Sequence, residues 1–305
     1  MSLPGEQPLS SAFDEALAGT TASTVPADEG RTARKEQFRV LVRSKSFILG
    51  AILVGFWVLC ALIGKAIVDD PLASDPINDL AAPSADHWFG TDRLGRDVFA
   101  RVIVGAQGIL ITAPLATLLA TVMGTALGLV TGYFRGAVDD ILSRVIDAFL
   151  ALPVVIVGLL AIVALGPSKL TLILVVGVLF TPIIARSVRA AVLSERELEY
   201  VAAARLRNER TPYVLFGEIL PNVMGPVMVE FTVRLGYAIF AIATLTFLGF
   251  GIQPPAPDWG LQVYEHYGLI SGGFWWTVLF PALAITSLVV GVNLLADGVA
   301  KAFGR

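Results

Sequence analysis

Long stretches without a charged residue constrain this chain more than any other feature of its sequence. They run over residues 47–64, 102–134, 148–168, 170–185, 235–257 and 267–296, and the fifth span is expected to start earlier, near Val223. A bilayer core about 30 Å thick takes roughly 20 apolar helical residues at a rise of 1.5 Å each. A helix satisfies its own backbone polar groups in lipid. The sequence therefore predicts an all-α membrane protein with six transmembrane helices.

The composition excludes several functional classes. Of the 305 residues 55% are hydrophobic and only 15% are charged, against about 25% charged in a soluble domain. A net charge of -3 argues against nucleic-acid binding. The single cysteine, Cys60, rules out a disulfide within the chain, and the two histidines, His87 and His266, are expected on the surface of outer loops. We predict no enzyme, no catalytic residue, no metal site and no cofactor on this chain.

The distribution of lysine and arginine predicts the orientation in the membrane. Six basic residues precede the first span, six arginines lie in the segment 186–222, and the stretch 251–273 has none. Both termini and the segment 186–222 are therefore predicted to be cytoplasmic. Arg93, Arg96 and Arg101 fall on the outer side against this rule, and we attribute them to their mixture with Asp92 and Asp97.

The cytoplasmic segment 186–222 carries two helix signatures. Ser194 and Glu197 form a capping box for a first helix that is expected to reach Arg207. Asn208 is expected to end it in a left-handed conformation. The dipeptide Thr211-Pro212 is expected to begin a second short helix, and Pro221 to end it.

Two interpretations of this pair of helices remain open. One is a solvated connector between spans. The other is a docking knob whose small-residue face, Ala202 to Ala204, lets another surface approach, with Glu199, Arg205 and Arg207 making polar contacts around it.

The sequences EYVAAAR at 199–205 and ILPN at 219–222 resemble the EAA loop of bacterial ABC importer permeases. In that family the loop forms coupling helices that sit in a groove of the ATPase subunit. The resemblance implies a coupling role for a set of residues on this loop, namely Glu199, Ala203, Ala204, Arg205, Asn208 and Pro221. Two positions depart from the family: Ala202 replaces its acidic residue and Asn208 replaces its usual glycine.

Other segments narrow the resemblance to C-type subunits of dipeptide and oligopeptide permeases. They are HWFGTDRLGRDV at 87–98, FLGFGIQPP at 247–255 with DWG at 258–260, and FPALAI at 280–285 with NLLADG at 293–298. The resemblance implies a type I ABC importer transmembrane domain that forms half of a channel. The partners it implies are a second homologous permease, two ATPase subunits that hold ATP and magnesium, an extracytoplasmic substrate-binding protein, a peptide substrate and membrane lipid.

The sequence divides into three parts on this basis. Residues 1–45 are predicted to be a cytoplasmic, disordered tail with a basic juxtamembrane segment, because their first 30 residues are acidic and rich in Ser, Thr, Ala and Pro. Residues 46–101 would hold the first transmembrane helix and an extracytoplasmic loop. Residues 102–305 would form the permease domain.

Two charged residues, Glu230 and Arg234, fall inside the predicted fifth span. They are four residues apart and share a helix face, with the acid first, which is the favourable order. One interpretation is a self-neutralised pair near the cytoplasmic entrance. The other is that the pair lines the translocation pathway or its gate.

The chain is thus predicted to be a permease subunit that imports di- or oligopeptides by alternating access in the cytoplasmic membrane. Two alternatives remain. A permease of the same build would carry nickel, glutathione or an oligosaccharide, and a membrane carrier or scaffold would work without an ATPase.

Overall fold

The structure is a computed structural model that describes residues 44–303, and this part of the chain contains no β-strand. The prediction of a disordered tail therefore lies outside the described residues, apart from its last two. Nine helices are labelled in chain order: α1 (Lys45–Ile67), α2 (Val98–Tyr133), α3 (Ala137–Leu150), α4 (Val154–Leu165), α5 (Lys169–Glu195), α6 (Glu199–Leu206), α7 (Thr211–Phe247), α8 (Trp259–His266) and α9 (Trp276–Phe303).

Five of these helices, α1, α2, α5, α7 and α9, are long and apolar enough to cross a membrane. A sixth crossing is made if α3 and α4, which meet at a bend of 90°, are counted as one span. The all-α membrane fold is therefore confirmed.

The third span was predicted as one continuous run over 148–168, but the structure divides it between two helices. Helix α3 ends at Leu150, and α4 begins after Pro153 and has only 12 residues. A proline lacks the backbone N–H and clashes with the preceding turn, so the helix cannot continue through it. Helix α4 is about 18 Å long, well short of the hydrocarbon thickness.

Two further boundaries also differ. Helix α5 passes beyond the predicted end at Ala185 and reaches Glu195. The α-helical winding of α7 begins at Leu220, near Val223 as predicted, but it ends at Phe247 and not at Pro257. Gly249 has a φ of +86°, a left-handed conformation that interrupts the helix.

The centre of the bundle is a close contact between α2 and α5. Three glycines of α2, spaced four residues apart, face three β-branched residues of α5: Gly124, Gly128 and Gly132 meet Ile184, Val188 and Val192, in that order. A Cβ atom placed on any of these glycines would lie 2.7 Å from the Cβ of its partner. The two helices therefore run parallel, with the ridge of α5 seated in a groove of α2, which we call the glycine groove.

The first helix packs against the last. A Cβ on Gly50 of α1 would lie 2.6 Å from the carbonyl oxygen of Gly291 in α9. Trp57 Nε1 donates a hydrogen bond of 2.9 Å to Ser287 Oγ. The small residues let α1 and α9 approach closely, as in other membrane helix pairs.

A buried cluster of charged side chains joins the loop 68–97, which connects α1 and α2, to α2 and α8. Asp92 Oδ2 accepts from Arg96 Nε at 2.7 Å and from Arg101 Nη1 at 2.5 Å. Glu265 Oε2 accepts from the same two arginines at 3.3 Å and 3.1 Å. Two carboxylates thus neutralise two guanidinium groups, and this pairing explains how Arg96 and Arg101 can lie on the predicted outer side.

Of the two aspartates that were expected to offset these arginines, only one belongs to the cluster. Asp92 belongs to it, but Asp97 caps α2 by accepting from the N–H of Ala100 at 2.8 Å. Burial acts to raise the pKa of Asp92, but Arg101, the backbone N–H groups of Leu94 and Arg96, and the Arg96 guanidinium together lower it, and the net shift is downward.

The prediction that both histidines are lone surface residues is wrong. His266 is buried, with its Nδ1 2.8 Å from the carbonyl oxygen of Gln262 and its Nε2 3.9 Å from Asp92 Oδ2. Burial lowers its pKa. His87 is partly exposed, but its Nδ1 lies 2.8 Å from Asp97 Oδ2. The contacts with Asp92 and Asp97 join residues that loops or whole helices separate along the chain, which apolar runs do not reveal.

We predict that Gly128→Leu destabilises the protein by about 1–3 kcal/mol, the usual cost of overpacking a well-packed contact. The new side chain would overlap Val188 in the glycine groove. The midpoint of thermal unfolding in detergent measures the effect.

Gly55→Leu is the matched control, because a Cβ on Gly55 of α1 meets no atom within 4 Å. An equal loss of stability in both variants would contradict a specific role for the groove.

Candidate coupling site

The predicted coupling residues lie where α5 ends and α7 begins, and most of them belong to the α5–α7 connector (196–210), which contains α6. Leu198 precedes α6 and gives it no side-chain cap. The predicted capping box is therefore wrong. Ser194 lies in the last turn of α5, where its Oγ donates to the carbonyl oxygen of Ala190 at 3.4 Å. Glu197 instead pairs with Arg135 at 2.5 Å.

The turn after α6 is as predicted. Asn208 has a φ of +56°, in the left-handed region. Its N–H donates to the carbonyl oxygen of Arg205 at 3.0 Å, and the N–H of Glu209 donates to that of Ala204 at 3.2 Å. This pair of bonds is a Schellman motif, which satisfies the last carbonyls of the helix. Asparagine adopts the left-handed conformation more readily than most residues.

The second predicted helix is not a separate element. Helix α7 starts at Thr211 after Arg210, so Thr211 is in the helix and not its cap. Residues Val214–Ile219 are wound as a π-helix and lead into the α-helical part of α7. Pro221 does not end this helix. It lies in the first turn of the α-helical part, where a missing N–H is tolerated.

The predicted coupling residues divide by exposure. Glu199, Ala203, Arg205, Asn208 and Pro221 are exposed. Ala204 is fully buried against the protein's own helices, so its side chain is not available to a partner. Its coupling role, like that of the others, stays a prediction.

Leu206 is an apolar residue of the same surface that the sequence analysis did not single out. Its side chain is 85% exposed at the last position of α6. It follows Ala202 by four residues and Ala203 by three, and residues at this spacing share a helix face. That spacing is the signal that would have identified it. Together these three residues form an apolar exposed face on α6.

The connector is tied to the end of α2 by two arginines. Arg196 Nη1 donates to the carbonyl oxygens of Gly132 and Tyr133, at 3.2 Å and 2.5 Å. The guanidinium of Arg205 lies 4.9 Å from the centre of the Tyr133 ring, within the range of a cation–π contact. The position of α6 therefore depends on α2 as well as on α5.

Tyr200 fixes α6 to the end of α5. Its hydroxyl donates to Glu195 Oε2 at 2.7 Å. Burial, followed by this hydrogen bond, raises the pKa of Tyr200 to about 12. The phenol therefore stays neutral and remains a donor throughout the physiological range.

The Glu230–Arg234 pair is formed in α7. Arg234 Nε lies 2.9 Å from Glu230 Oε2, and less than one fifth of either side chain is exposed. Arg234 also lies 5.4 Å from the centre of the Tyr237 ring. The pair begins nine residues after Pro221, about 14 Å further along the helix, so the structure does not bring it together with the coupling residues.

Comparison with known proteins identifies the family. Residues 124–305 match the model of the binding-protein-dependent transport system inner membrane component. The dipeptide transport system permease protein DppC of Alkalihalophilus pseudofirmus is 36% identical over 269 residues, 88% of each chain. The probable peptide ABC transporter permease protein y4tQ of Sinorhizobium fredii is 38% identical over 288 residues, 94% of this chain and 97% of the relative.

A third relative differs in its named substrate. The glutathione transport system permease protein GsiD of Escherichia coli is 33% identical over 283 residues, 91% of this chain and 92% of the relative. The chain belongs to the family of binding-protein-dependent transport system inner membrane components. It is a permease component of an ABC importer and a multi-pass protein of the inner membrane.

We predict that Asn208→Val weakens the connector, whereas Asn208→Gly leaves it intact. A left-handed conformation costs an ordinary side chain roughly 1–2 kcal/mol, and glycine carries no such cost. Hydrogen exchange of the α6 amides is the measurement, with faster exchange expected in Asn208→Val only. Equal exchange in the two variants would show that the turn does not hold α6.

Proposed function

We propose that this chain forms one half of the transmembrane channel of an ATP-driven importer of di- or oligopeptides. It would receive substrate from an extracytoplasmic binding protein and move it across the cytoplasmic membrane by alternating access. The family supports the importer, and the names of the DppC and y4tQ relatives support the peptide substrate.

The single observation that carries the coupling mechanism is the exposed apolar face of α6, held between two long helices. Ala202, Ala203 and Leu206 present apolar surface that the rest of residues 44–303 leaves open, with Glu199 and Arg205 beside it. An exposed apolar face with a polar rim is typical of an interaction surface. We assign it to one of two ATPase subunits, which would hold the ATP and magnesium.

The proposed orientation places the connector and both termini in the cytoplasm. The arginines of the segment 186–222 support it. Of the three arginines on the opposite side, Arg96 and Arg101 do not oppose it, because Asp92 and Glu265 neutralise them.

Movement of α6 would reach the membrane through three helices. Helices α5 and α7 flank the connector, and α7 continues without a break into the fifth span. Helix α2 follows because Arg196 binds its last carbonyls and because the glycine groove holds it to α5. Closure of the ATPases would thereby open the channel, shared with a second homologous permease, to either side in turn. This chain would make and break no covalent bond.

Glutathione is the alternative substrate that a specific observation favours, because GsiD is named for its transport. Glutathione is itself a small peptide, so the same channel chemistry would serve both. The binding pocket of the partner binding protein decides between them. No observation on this chain favours nickel, an oligosaccharide or an ATPase-independent carrier.

We predict that Ala203→Arg abolishes most ATP-driven uptake, because a long charged side chain would separate α6 from the ATPase. Uptake of a labelled dipeptide into proteoliposomes and co-purification of the ATPase subunits are measured together. Ala203→Ser is the matched control and should keep both. Full uptake by Ala203→Arg, with the ATPases still bound, would contradict the proposed coupling surface.

We also propose that Glu230 and Arg234 line the translocation pathway or its gate. If the two charges only neutralise each other inside α7, the helix tolerates the loss of both but not the loss of one. A lone charge in the membrane costs about 2.5–3.5 kcal/mol on insertion scales. Removal of both charges should therefore leave uptake intact if the pair only neutralises itself, and should impair uptake if the pair lines the pathway.

We predict that Arg234→Leu lowers peptide uptake, and that the double variant Glu230→Leu, Arg234→Leu does not restore it. Uptake is compared at equal amounts of assembled complex. Restoration by the double variant would assign the pair to helix neutralisation alone, and unchanged uptake by Arg234→Leu would remove the pathway role.

A further inference from the structure

A large cavity lies at the end of the bundle opposite to α6. Its volume is about 750 Å³, within the range of about 300–1,000 Å³ that is usual for ligand pockets. The end of α1, the stretch 104–112 of α2, the start of α5 and the loop before α8 form its walls. Aliphatic residues such as Val104, Ile111 and Ile173 make up much of the lining.

Charges of both signs line this cavity. Lys65 and Lys169 contribute ammonium groups, and Asp69 and Asp70 contribute carboxylates. Among residues 44–303, none of these four side chains has an oppositely charged group within 4.0 Å. Asp70 Oδ1 accepts from the N–H of Leu72 at 3.0 Å. The cavity therefore offers charged groups without an ion-pair partner beside apolar walls.

A fifth charged group, Asp258, is buried at the cavity wall. The residue is only 5% exposed, and its Oδ1 caps α8 by accepting from the N–H of Leu261 at 3.1 Å. Within the described part of the chain, no side-chain donor lies within hydrogen-bond distance of its other oxygen, Oδ2. This oxygen is not enclosed by the protein, so a donor in the cavity can reach it.

The surroundings of Oδ2 leave room for a ligand. Gly108 of α2 faces this oxygen, and a Cβ added there would stand 3.8 Å from Oδ2 with no other atom of a neighbouring element within 4 Å. The capping role alone does not need a carboxylate, because asparagine caps a helix equally well. Burial raises the pKa of Asp258, and the backbone N–H groups of Leu261 and Gly260 and the charges of Lys169 and Arg101 offset this only in part.

We infer that this cavity binds a zwitterion, whose primary ammonium group donates to Asp258 Oδ2 and whose anionic group lies near Lys65 and Lys169. Two sources share this chemistry: a small peptide, and the head group of phosphatidylethanolamine. The peptide source rests on the proposed function, whereas the lipid source does not.

The test uses native mass spectrometry of the assembled transporter with two pairs of probes. Dialanine is compared with N-acetyl-dialanine, which has no ammonium group. Short-chain phosphatidylethanolamine is compared with short-chain phosphatidylcholine, which has no N–H donor. The fraction of complex that carries each probe is followed over a range of concentrations.

Two variants and one control locate the site. Asp258→Asn keeps the helix cap and removes the charge, and we expect it to weaken binding of the ammonium probe about tenfold, as for a lost charge-assisted hydrogen bond. Gly108→Leu should block the space beside Oδ2 and abolish binding. Asp79→Asn removes an exposed charge from the loop 68–97, which also carries Asp69 and Asp70, and this variant should bind like the parent protein.

Every outcome decides the inference. Binding of dialanine or of phosphatidylethanolamine that both variants reduce supports it and names the source. The inference is overturned if neither dialanine nor phosphatidylethanolamine binds, or if N-acetyl-dialanine or phosphatidylcholine binds as well as its counterpart. It is also overturned if Asp258→Asn leaves binding unchanged. Peptide uptake by the parent protein is measured separately, so a failed cavity is told apart from a failed assignment of transport.

Discussion

The contact between the glycine groove of α2 and the β-branched ridge of α5 is the interaction on which the rest of the structure depends. Within lipid, apolar side chains gain nothing by leaving the solvent, so helices associate through close packing and hydrogen bonds. Gly124, Gly128 and Gly132 bring the two backbones together over two helical turns. Helix α5 is therefore held along the same length that leads to α6, and the two helices behave as one rigid unit.

The two ends of this unit are held by different forces. At one end, Arg196 and the Tyr133 ring fasten the α5–α7 connector to α2. At the other end, Asp92, Arg101 and Glu265 join the loop 68–97 and α8 to α2 through buried charges. A buried ion pair contributes less to stability than its Coulomb energy suggests, because both charges lose their water. Its geometry, however, admits few alternatives, and it fixes which loop meets which helix.

The sequence predicted what is decided locally. Apolar runs located the membrane helices, and the left-handed turn at Asn208 followed from residue type and position. Ser194 was misplaced because a serine before a glutamate three residues later fits both a cap and a helix interior, and the helix-forming residues of α5 continue past it. The break at Pro153 was a local signal that the uninterrupted apolar run concealed.

Contacts between distant residues were out of reach of such patterns. Glu265 lies 164 positions from Arg101, and no spacing rule connects them. The burial of His266 follows from the same tertiary contact. The coupling residues were found by resemblance, but their division into exposed and buried, with Ala204 turned inward, depends on how α6 rests on its neighbours.

The π-helical winding of Val214–Ile219 has a geometric consequence for the whole of α7. A π-turn holds one residue more than an α-turn, and one residue corresponds to about 100° around the helix axis. The extra residue therefore sets the azimuth of every side chain that follows, Glu230 and Arg234 included. Were this segment to rewind as a regular α-helix, the pair would swing to a different flank of the bundle while the connector stayed in place.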